Sequence, residues 1–412
     1  MPYATDRDIV RALAAQAAEL AASPVMDEKR RLWSALNQLR PERPMVNLDQ
    51  VCWSEMNVGD ELTLRCENPD LRWHEERLRQ IIYRFKHMPV DHVADDYIPV
   101  SPAINGANFG IGIKETLAVT DPNSEVVSHS YENQIRCMAD IEKVKMPVVT
   151  HDEKETARRL EIAHDAFDGV MPVRLYGHDP YISVWDPISM WMGVENTLYA
   201  MIDEPEMMHA LADRVVAGYM TMLDQIEELG LLVSRQSWIH CTGAWTDELP
   251  PAGFEPDKPR TTDIWGFGLA QMLSTCSPEM FDEFEVEHCL PLLERFGIMY
   301  YGCCDPLDRK IAQVRRIRNV RKISMSPWTD EANGAEQIGS DYVFSRKPNP
   351  AILAMTNFDE SLARAELVRT KELCRANNCP LEFIMKDIST VKGDPRRLWR
   401  WAQIAMEVAE EN

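Results

Sequence analysis

The residues of this 412-residue chain that could do chemistry gather where apolar runs give way to turns. In Met299–Leu307, written MYYGCCDPL, Cys303 and Cys304 stand side by side at the end of a strand-like run. A thiolate is a nucleophile and a soft metal ligand, so the pair offers either chemistry. In IHCTG, His240 and Cys241 close another apolar run. His240 reads either as a ligand or acid–base group, or as a histidine bonded into a loop. Tyr176-Gly177-His178-Asp179 and Trp185-Asp186-Pro187 set aromatic surface beside titratable groups, which suits a substrate pocket or a packed Asp turn. Lys386-Asp387, after the last apolar run, offers an ion pair, a base or an oxygen ligand.

Strand alternation limits these groups. Successive side chains point to opposite faces, so Tyr301 and Cys303 share one face while Tyr300 and Cys304 share the other. One cysteine is expected at the open end of the strand and the other against the helical layer, unless the backbone turns early. Asp305-Pro306 favours an early turn, because Asp caps helices and Pro suits the first helical position. A thiol at such a helix start has a lowered pKa. No Cys–His–Asn pattern accompanies it, which favours metal binding over covalent catalysis. Cys374 and Cys379, near an expected helix end, read as structural thiols.

Other signatures are absent. There is no GxxxxGK[ST], GxGxxG or GxSxG; His74-Glu75 starts an HExxH that Leu78 breaks, and Ser389-Thr-Val-Lys392 lacks the companions of an SxxK site.

The elements that must hold these residues follow from pattern. Helices are expected from Thr5 or Asp6 to about Ala22, over Asp27–Leu39 and over Asp70–His87, with a Pro-rich loop over Arg40–Val58. Beyond Tyr97, strands are expected at Tyr97–Ala103, Pro172–Tyr176, Gln236–Cys241, Ile298–Gly302, Lys322–Met325, Tyr342–Ser345 and Leu381–Met385. An eighth would lie between Ile104 and Pro147. Helices alternate with them at Glu153–Phe167, Ser189–Gly230 (broken near Pro205), Pro278–Phe296, Pro306–Arg318 and Glu360–Ala376. That alternation predicts an α/β fold: a (β/α)8 TIM barrel over 96–412, behind an N-terminal helical extension over 1–95, with a doubly wound open sheet as the runner-up that lacks its usual phosphate-binding fingerprint. In such a barrel the strand C-termini build the active site, where the residues above collect.

A net charge of −22 argues against nucleic-acid binding, which needs a clustered basic face. No apolar run reaches the roughly 18 residues of a membrane span, and no secretory leader is evident at the start. Ten dispersed cysteines read as reduced thiols, so a cytoplasmic location is expected.

The block from 298 to 350 resembles the uroporphyrinogen decarboxylase-like superfamily, and within it the cobamide-dependent methyltransferases. Tyr301-Gly-Cys-Cys-Asp-Pro306, Ile323-Ser-Met-Ser-Pro-Trp328, Lys347-Pro-Asn-Pro350 and the closing unit from Leu381 to Glu410 carry the likeness. The resemblance implies a methyltransferase (a demethylase) that moves a methyl group from a small methoxylated or methylated donor to a corrinoid carried by a partner protein. It implies zinc at Cys303, Cys304 and His240. His240, His178 and Asp387 would be catalytic, and Tyr176, Asp179, Trp185, Asn105 and Tyr301 would line the donor pocket. Members of the family use a His-x-Cys strand end and a Gly-Cys on the last strand; this chain has Tyr301-Gly-Cys303 and Lys386-Asp387 there. The alternative is a decarboxylase or lyase for a small carboxylated substrate, although Ile98–Asn105 lacks the paired arginines of that branch. The partners expected are the methyl donor, the corrinoid protein and a second copy of the chain in a homodimer, without nucleic acid or membrane.

Overall fold

The computed structural model describes residues 5–119 and 127–411. Helix Asp6–Ala21 starts on a capping box between Thr5 and Asp8, and Pro69–His87 starts on Asn68, whose side chain accepts from Asp70 and Leu71. Helices Pro24–Asn37, Glu153–Phe167 and Glu360–Ala376 lie close to where pattern puts them. The long segment expected to break near Pro205 is three helices, Trp185–Met192, Val194–Asp203 and Pro205–Glu228.

Seven parallel strands form the main sheet, in the order Met45–Leu48, Leu381–Met385, Val343–Arg346, Val320–Met325, Ile298–Tyr301, Trp265–Gly268, Tyr181–Ile182. Ile98–Val100 and Val173–Leu175 pair in parallel outside that ladder. The hydrogen bonds therefore describe an α/β sheet with two ends, not the closed eight-stranded ring expected. Single links reach past the ends: Asp91 N donates to Val46 O at 2.9 Å, and His178 forms a lone parallel bridge with Leu232. Among the described residues no helix is long and apolar enough to cross a membrane.

Several elements differ from expectation, each for a local reason. Met45–Leu48 lies within the stretch read as loop, yet it pairs Met45 through Leu48 with Glu382 through Met385; four residues directly after Pro44 are too few to show a period. Trp265–Gly268 reads WGFG, and its glycines hide a strand. A Cβ on Gly266 would stand 2.4 Å from the Met299 sulfur, and one on Gly268 would stand 2.7 Å from Leu293, so the strand packs because both side chains are missing. The strand expected at Gln236–Cys241 is only Trp238–Ile239, which turns back on Thr242–Gly243 as a hairpin. The helix expected over Pro306–Arg318 shrinks to Ile311–Val314. That over Pro278–Phe296 is interrupted by a π-helical stretch at Asp282–Val286, with Pro291 inside its last part. The eighth strand sought between Ile104 and Pro147 is instead a set of short pieces away from the main sheet, including a hairpin of Glu115–Ala118 with Ser128–Tyr131; residues 120–126 of that span lie outside the described residues.

Candidate active site

The inner face of the sheet carries charge. Lys322 Nζ meets Glu382 Oε2 at 2.8 Å with both side chains fully buried. Glu382 Oε1 accepts from Ser345 Oγ at 2.5 Å, and Thr242 Oγ1 donates to Glu382 Oε2 at 2.7 Å. Lys347 donates to Ser345 Oγ at 2.6 Å and to the Tyr300 hydroxyl. Burial pushes the Lys347 amine below its usual range. This polar floor lies under the strand ends, where hydrogen-bonded buried groups hold position firmly.

Above it, the strand Ile298–Tyr301 stops at Gly302, whose φ of +91° suits glycine. A Cβ there would stand 2.4 Å from Leu307 Cδ1. The left-handed step ends the alternation, so both sulfurs reach the same place: Cys303 Sγ and Cys304 Sγ are 3.5 Å apart. The division of the two cysteines between opposite faces is thereby overturned. Tyr300 and Tyr301 do alternate: Tyr300 meets Ser345 inside, while Tyr301 gives its hydroxyl proton to Glu285 at 2.9 Å in the helical layer. No helix begins at Asp305-Pro306; Asp305 instead accepts from the Cys303 N–H at 3.0 Å.

Four elements meet around Cys303. Lys386 Nζ, just past Leu381–Met385, lies 2.9 Å from Cys303 Sγ and 3.0 Å from His240 Nε2. His240 Nε2 is 3.5 Å from the same sulfur. The one thiol proton of Cys304 can be offered to Asp387 Oδ2, at 3.1 Å, or to Cys303. His240 sits in the hairpin turn at φ +51°, and its ring stacks on Phe267 with centroids 4.0 Å apart and 11° between planes. Asp387 has φ +56°. Two non-glycine residues in left-handed conformation within one cluster mark backbone that the surroundings over-determine. Cys241, which shares the hairpin turn with His240, is also interior, 3.6 Å from the Tyr300 hydroxyl.

The electrostatics follow from these contacts. A hydrogen bond with Cys304, then contacts with His240 and Lys386, outweigh burial and hold the Cys303 thiol well below its usual range. These contacts favour the thiolate form of Cys303. Cys304 is driven far the other way by that neighbouring thiolate and keeps its proton. Burial works against the Lys386 charge, but Cys241, Cys303 and Asp387 together outweigh it and raise its pKa.

The remaining expected residues lie apart from the cluster. Asp179 accepts from Gln236 at 2.8 Å and from the Tyr176 hydroxyl at 3.3 Å, and burial raises it to about 7. Tyr176 lines a cavity of about 400 Å³ between helix Pro69–His87 and the end of Met45–Leu48. His178 takes part in the bridge to Leu232 through its backbone, and burial favours its neutral ring. Trp185 is fully buried, edge-on to Phe284 in the core. Asn105 is exposed, paired with Thr150. Lys386-Asp387 stood in the sequence with three open roles, and nothing there pointed to Phe267; the approach of Lys386 Nζ to His240 is visible only in three dimensions.

Zinc was implied at Cys303, Cys304 and His240. Two such ligands of one ion stand about 3.5 Å apart, which is the spacing found here. Yet Lys386 touches both Cys303 and His240, and among the described residues no three His, Cys, Asp or Glu side chains form a metal-holding group. As arranged, the residues fit the Lys386 ammonium better than a metal ion.

No family model matches the chain, and no curated protein matches its sequence. Among solved structures it is similar to a methyltransferase from Methanosarcina mazei, with a TM-score of 0.51 and 10 % identity over 92 % of this chain and 97 % of that one. At that identity the likeness establishes a shared α/β fold.

Proposed function

We propose that this chain is a methyltransferase that takes the methyl group of a small methoxylated or methylated donor and passes it to a corrinoid held by a separate protein. The observation that carries the reading is Lys386, held between Cys303 and His240 at the strand ends. The fold shared with a methyltransferase supports it. The difficult step is releasing an alkoxide or phenolate as the methyl–oxygen bond breaks. The electron pair stays on oxygen, and the methyl carbon goes to the acceptor.

An ammonium aimed at that oxygen stabilises the charge as it develops. Its raised pKa makes Lys386 a poor acid, so it acts by hydrogen bonding, and water protonates the product afterwards. Cys303 keeps the lysine charged, and His240, locked on Phe267, fixes its position. The same reading takes the sheet and the outlying pair as one barrel wall of the uroporphyrinogen decarboxylase-like kind; the links at Val46 and His178 support this.

A zinc-bound form is the second reading, favoured by the sulfur–nitrogen spacing, and it requires Lys386 to withdraw. Metal content of the purified protein separates the two. The test of function is methyl transfer from methoxylated donors to a Co(I) corrinoid protein, followed by the cobalt spectrum. Lys386→Met should slow it by about 100-fold or more. If instead no donor transfers a methyl group and a carboxylated compound releases carbon dioxide, the decarboxylase alternative replaces this reading.

A further inference from the structure

Cys303 and Cys304 are neighbours in the chain with different surroundings. Cys303 is buried, with Lys386 Nζ at 2.9 Å and His240 Nε2 at 3.5 Å from its sulfur. Cys304 is half-buried, 3.5 Å from the Cys303 sulfur and 3.1 Å from Asp387, whose side chain is 45 % exposed. The cluster therefore meets water on the side of Cys304 and Asp387. Cys303 itself keeps 5 % of its surface exposed, enough for a reagent little larger than water.

Other cysteines lack this combination. Cys241 is fully buried, and burial pushes its thiol up to about 11. Cys137 is the one exposed cysteine, and its side chain bonds the Asp140 carboxylate. A thiolate held by cations beside a second thiol is the arrangement peroxide chemistry uses, with one sulfur to attack and one to resolve.

We propose that Cys303 is a site of oxidation by hydroperoxides, resolved by Cys304 as a disulfide between chain neighbours. The chemistry of the pair is independent of the methyl-transfer reading; its effect on activity rests on that reading. In the first step the Cys303 thiolate attacks the outer peroxide oxygen. The sulfur–oxygen bond forms, the oxygen–oxygen bond breaks, and hydroxide or alkoxide leaves. Lys386 Nζ, 2.9 Å from the sulfur, is placed to donate to that departing oxygen. Cys303 is then a neutral sulfenic acid, so the anion that kept the Cys304 proton in place is gone. The departing oxygen takes this proton and becomes water or an alcohol. The Cys304 thiolate attacks the Cys303 sulfur and expels hydroxide. The two sulfurs have lost two electrons, and the peroxide has gained them.

To bond, the sulfurs close from 3.5 Å to about 2.05 Å. Adjacent Cα atoms are only about 3.8 Å apart across a trans peptide, short of the roughly 4.4–6.8 Å usual for a disulfide. The bridge is therefore strained, and strained disulfides are the readily reduced ones, so a dithiol reverses it. While it lasts, Lys386 lacks the anion that keeps it charged, and methyl transfer stops.

The test treats the full chain with hydrogen peroxide at pH 7 and follows its cysteine peptides by mass spectrometry. Trypsin releases 296–309, in which Cys303 and Cys304 are the only cysteines. That peptide should lose two hydrogens tenfold or more faster than Cys137 is oxidised, and dithiothreitol should restore it. Cys304→Ser should stop at a sulfenic acid on Cys303 that dimedone traps, and Lys386→Met should slow the first step tenfold or more. The half-buried Cys304 position keeps its variant informative if Lys386→Met fails to fold. Oxidation no faster than that of Cys137, a wild-type product that ends as sulfinic acid, or no trapped sulfenic acid in Cys304→Ser would each overturn the proposal. A reversible disulfide in a chain that transfers no methyl group leaves this site standing and removes the proposed function. Methyl transfer by a chain whose 296–309 peptide resists peroxide does the reverse.

Discussion

Lys386 Nζ bridges Cys303 Sγ and His240 Nε2, at 2.9 and 3.0 Å, so one ammonium ties the last strand to two other strand ends. The thiolate and the ammonium define each other. Removing the lysine leaves a buried anion whose nearest compensation is lost, and removing the thiol leaves a buried cation.

The first consequence concerns reactivity. An ordinary thiol, with a pKa near about 8.5, is largely unreactive to iodoacetamide at pH 5. Cys303, held well below that range by Cys304, His240 and Lys386, is expected to remain a thiolate there. Alkylation of Cys303, located by peptide mass spectrometry, should therefore persist at pH 5 and fall away in Lys386→Met. A wild-type profile rising only above pH 8 would refute the assignment. The sign for stability agrees. A depressed folded pKa contributes stability that is full above the unfolded value of about 9 and is lost as pH falls through the lowered folded value.

Gly302 is the second lever. Alanine there must adopt φ +91° and also meet Leu307 Cδ1 at 2.4 Å. Gly302→Ala should cost about 1–3 kcal/mol and displace both cysteines. Thermal unfolding gives the first effect, and loss of Cys303 alkylation at pH 5 gives the second. An unchanged melting temperature with unchanged alkylation would show that the turn is not needed.

How much of this was readable beforehand depends on residue type. The strand ends at Ile298–Tyr301 and Leu381–Met385 follow from apolar runs meeting Cys-Cys-Asp-Pro and Lys-Asp, so His240, Cys303, Cys304 and Asp387 could be named as candidates. Their convergence could not be, because it depends on Gly302 and on the hairpin at His240, where backbone handedness overrides side-chain alternation. Met45–Leu48 and Trp265–Gly268 were hidden by shortness and by glycine, and with them went Asp49 and Phe267. Lys322 and Glu382 fall inside the expected strands Lys322–Met325 and Leu381–Met385 with nothing to show that they pair, yet both are fully buried against each other.

That pair makes the third prediction. Lys322→Met leaves Glu382 buried without its cation and should cost about 3–5 kcal/mol. The double replacement Lys322→Met with Glu382→Leu should recover part of that loss, since two apolar side chains avoid the desolvation penalty. Denaturant unfolding of both variants measures the difference. A double variant no more stable than the single would show that Thr242 and Ser345, which also bond Glu382, dominate.

The last prediction uses a carboxyl away from the cluster. Glu285 accepts from Tyr301 at 2.9 Å inside the helical layer, and burial raises it to about 7. A raised carboxyl is protonated in the folded chain at a pH where the unfolded chain has already released its proton. The sign is therefore opposite to that of Cys303: as pH climbs from the unfolded value of 4.5 to about 7, the folded state loses stability, and above that the loss is constant. Glu285→Gln keeps an acceptor for the Tyr301 hydroxyl and cannot ionise. It should leave stability at pH 4.5 nearly unchanged and raise it by about 3 kcal/mol at pH 8. Melting temperatures of both proteins at the two pH values decide the matter: a constant difference between them would mean that Glu285 is not held neutral by burial.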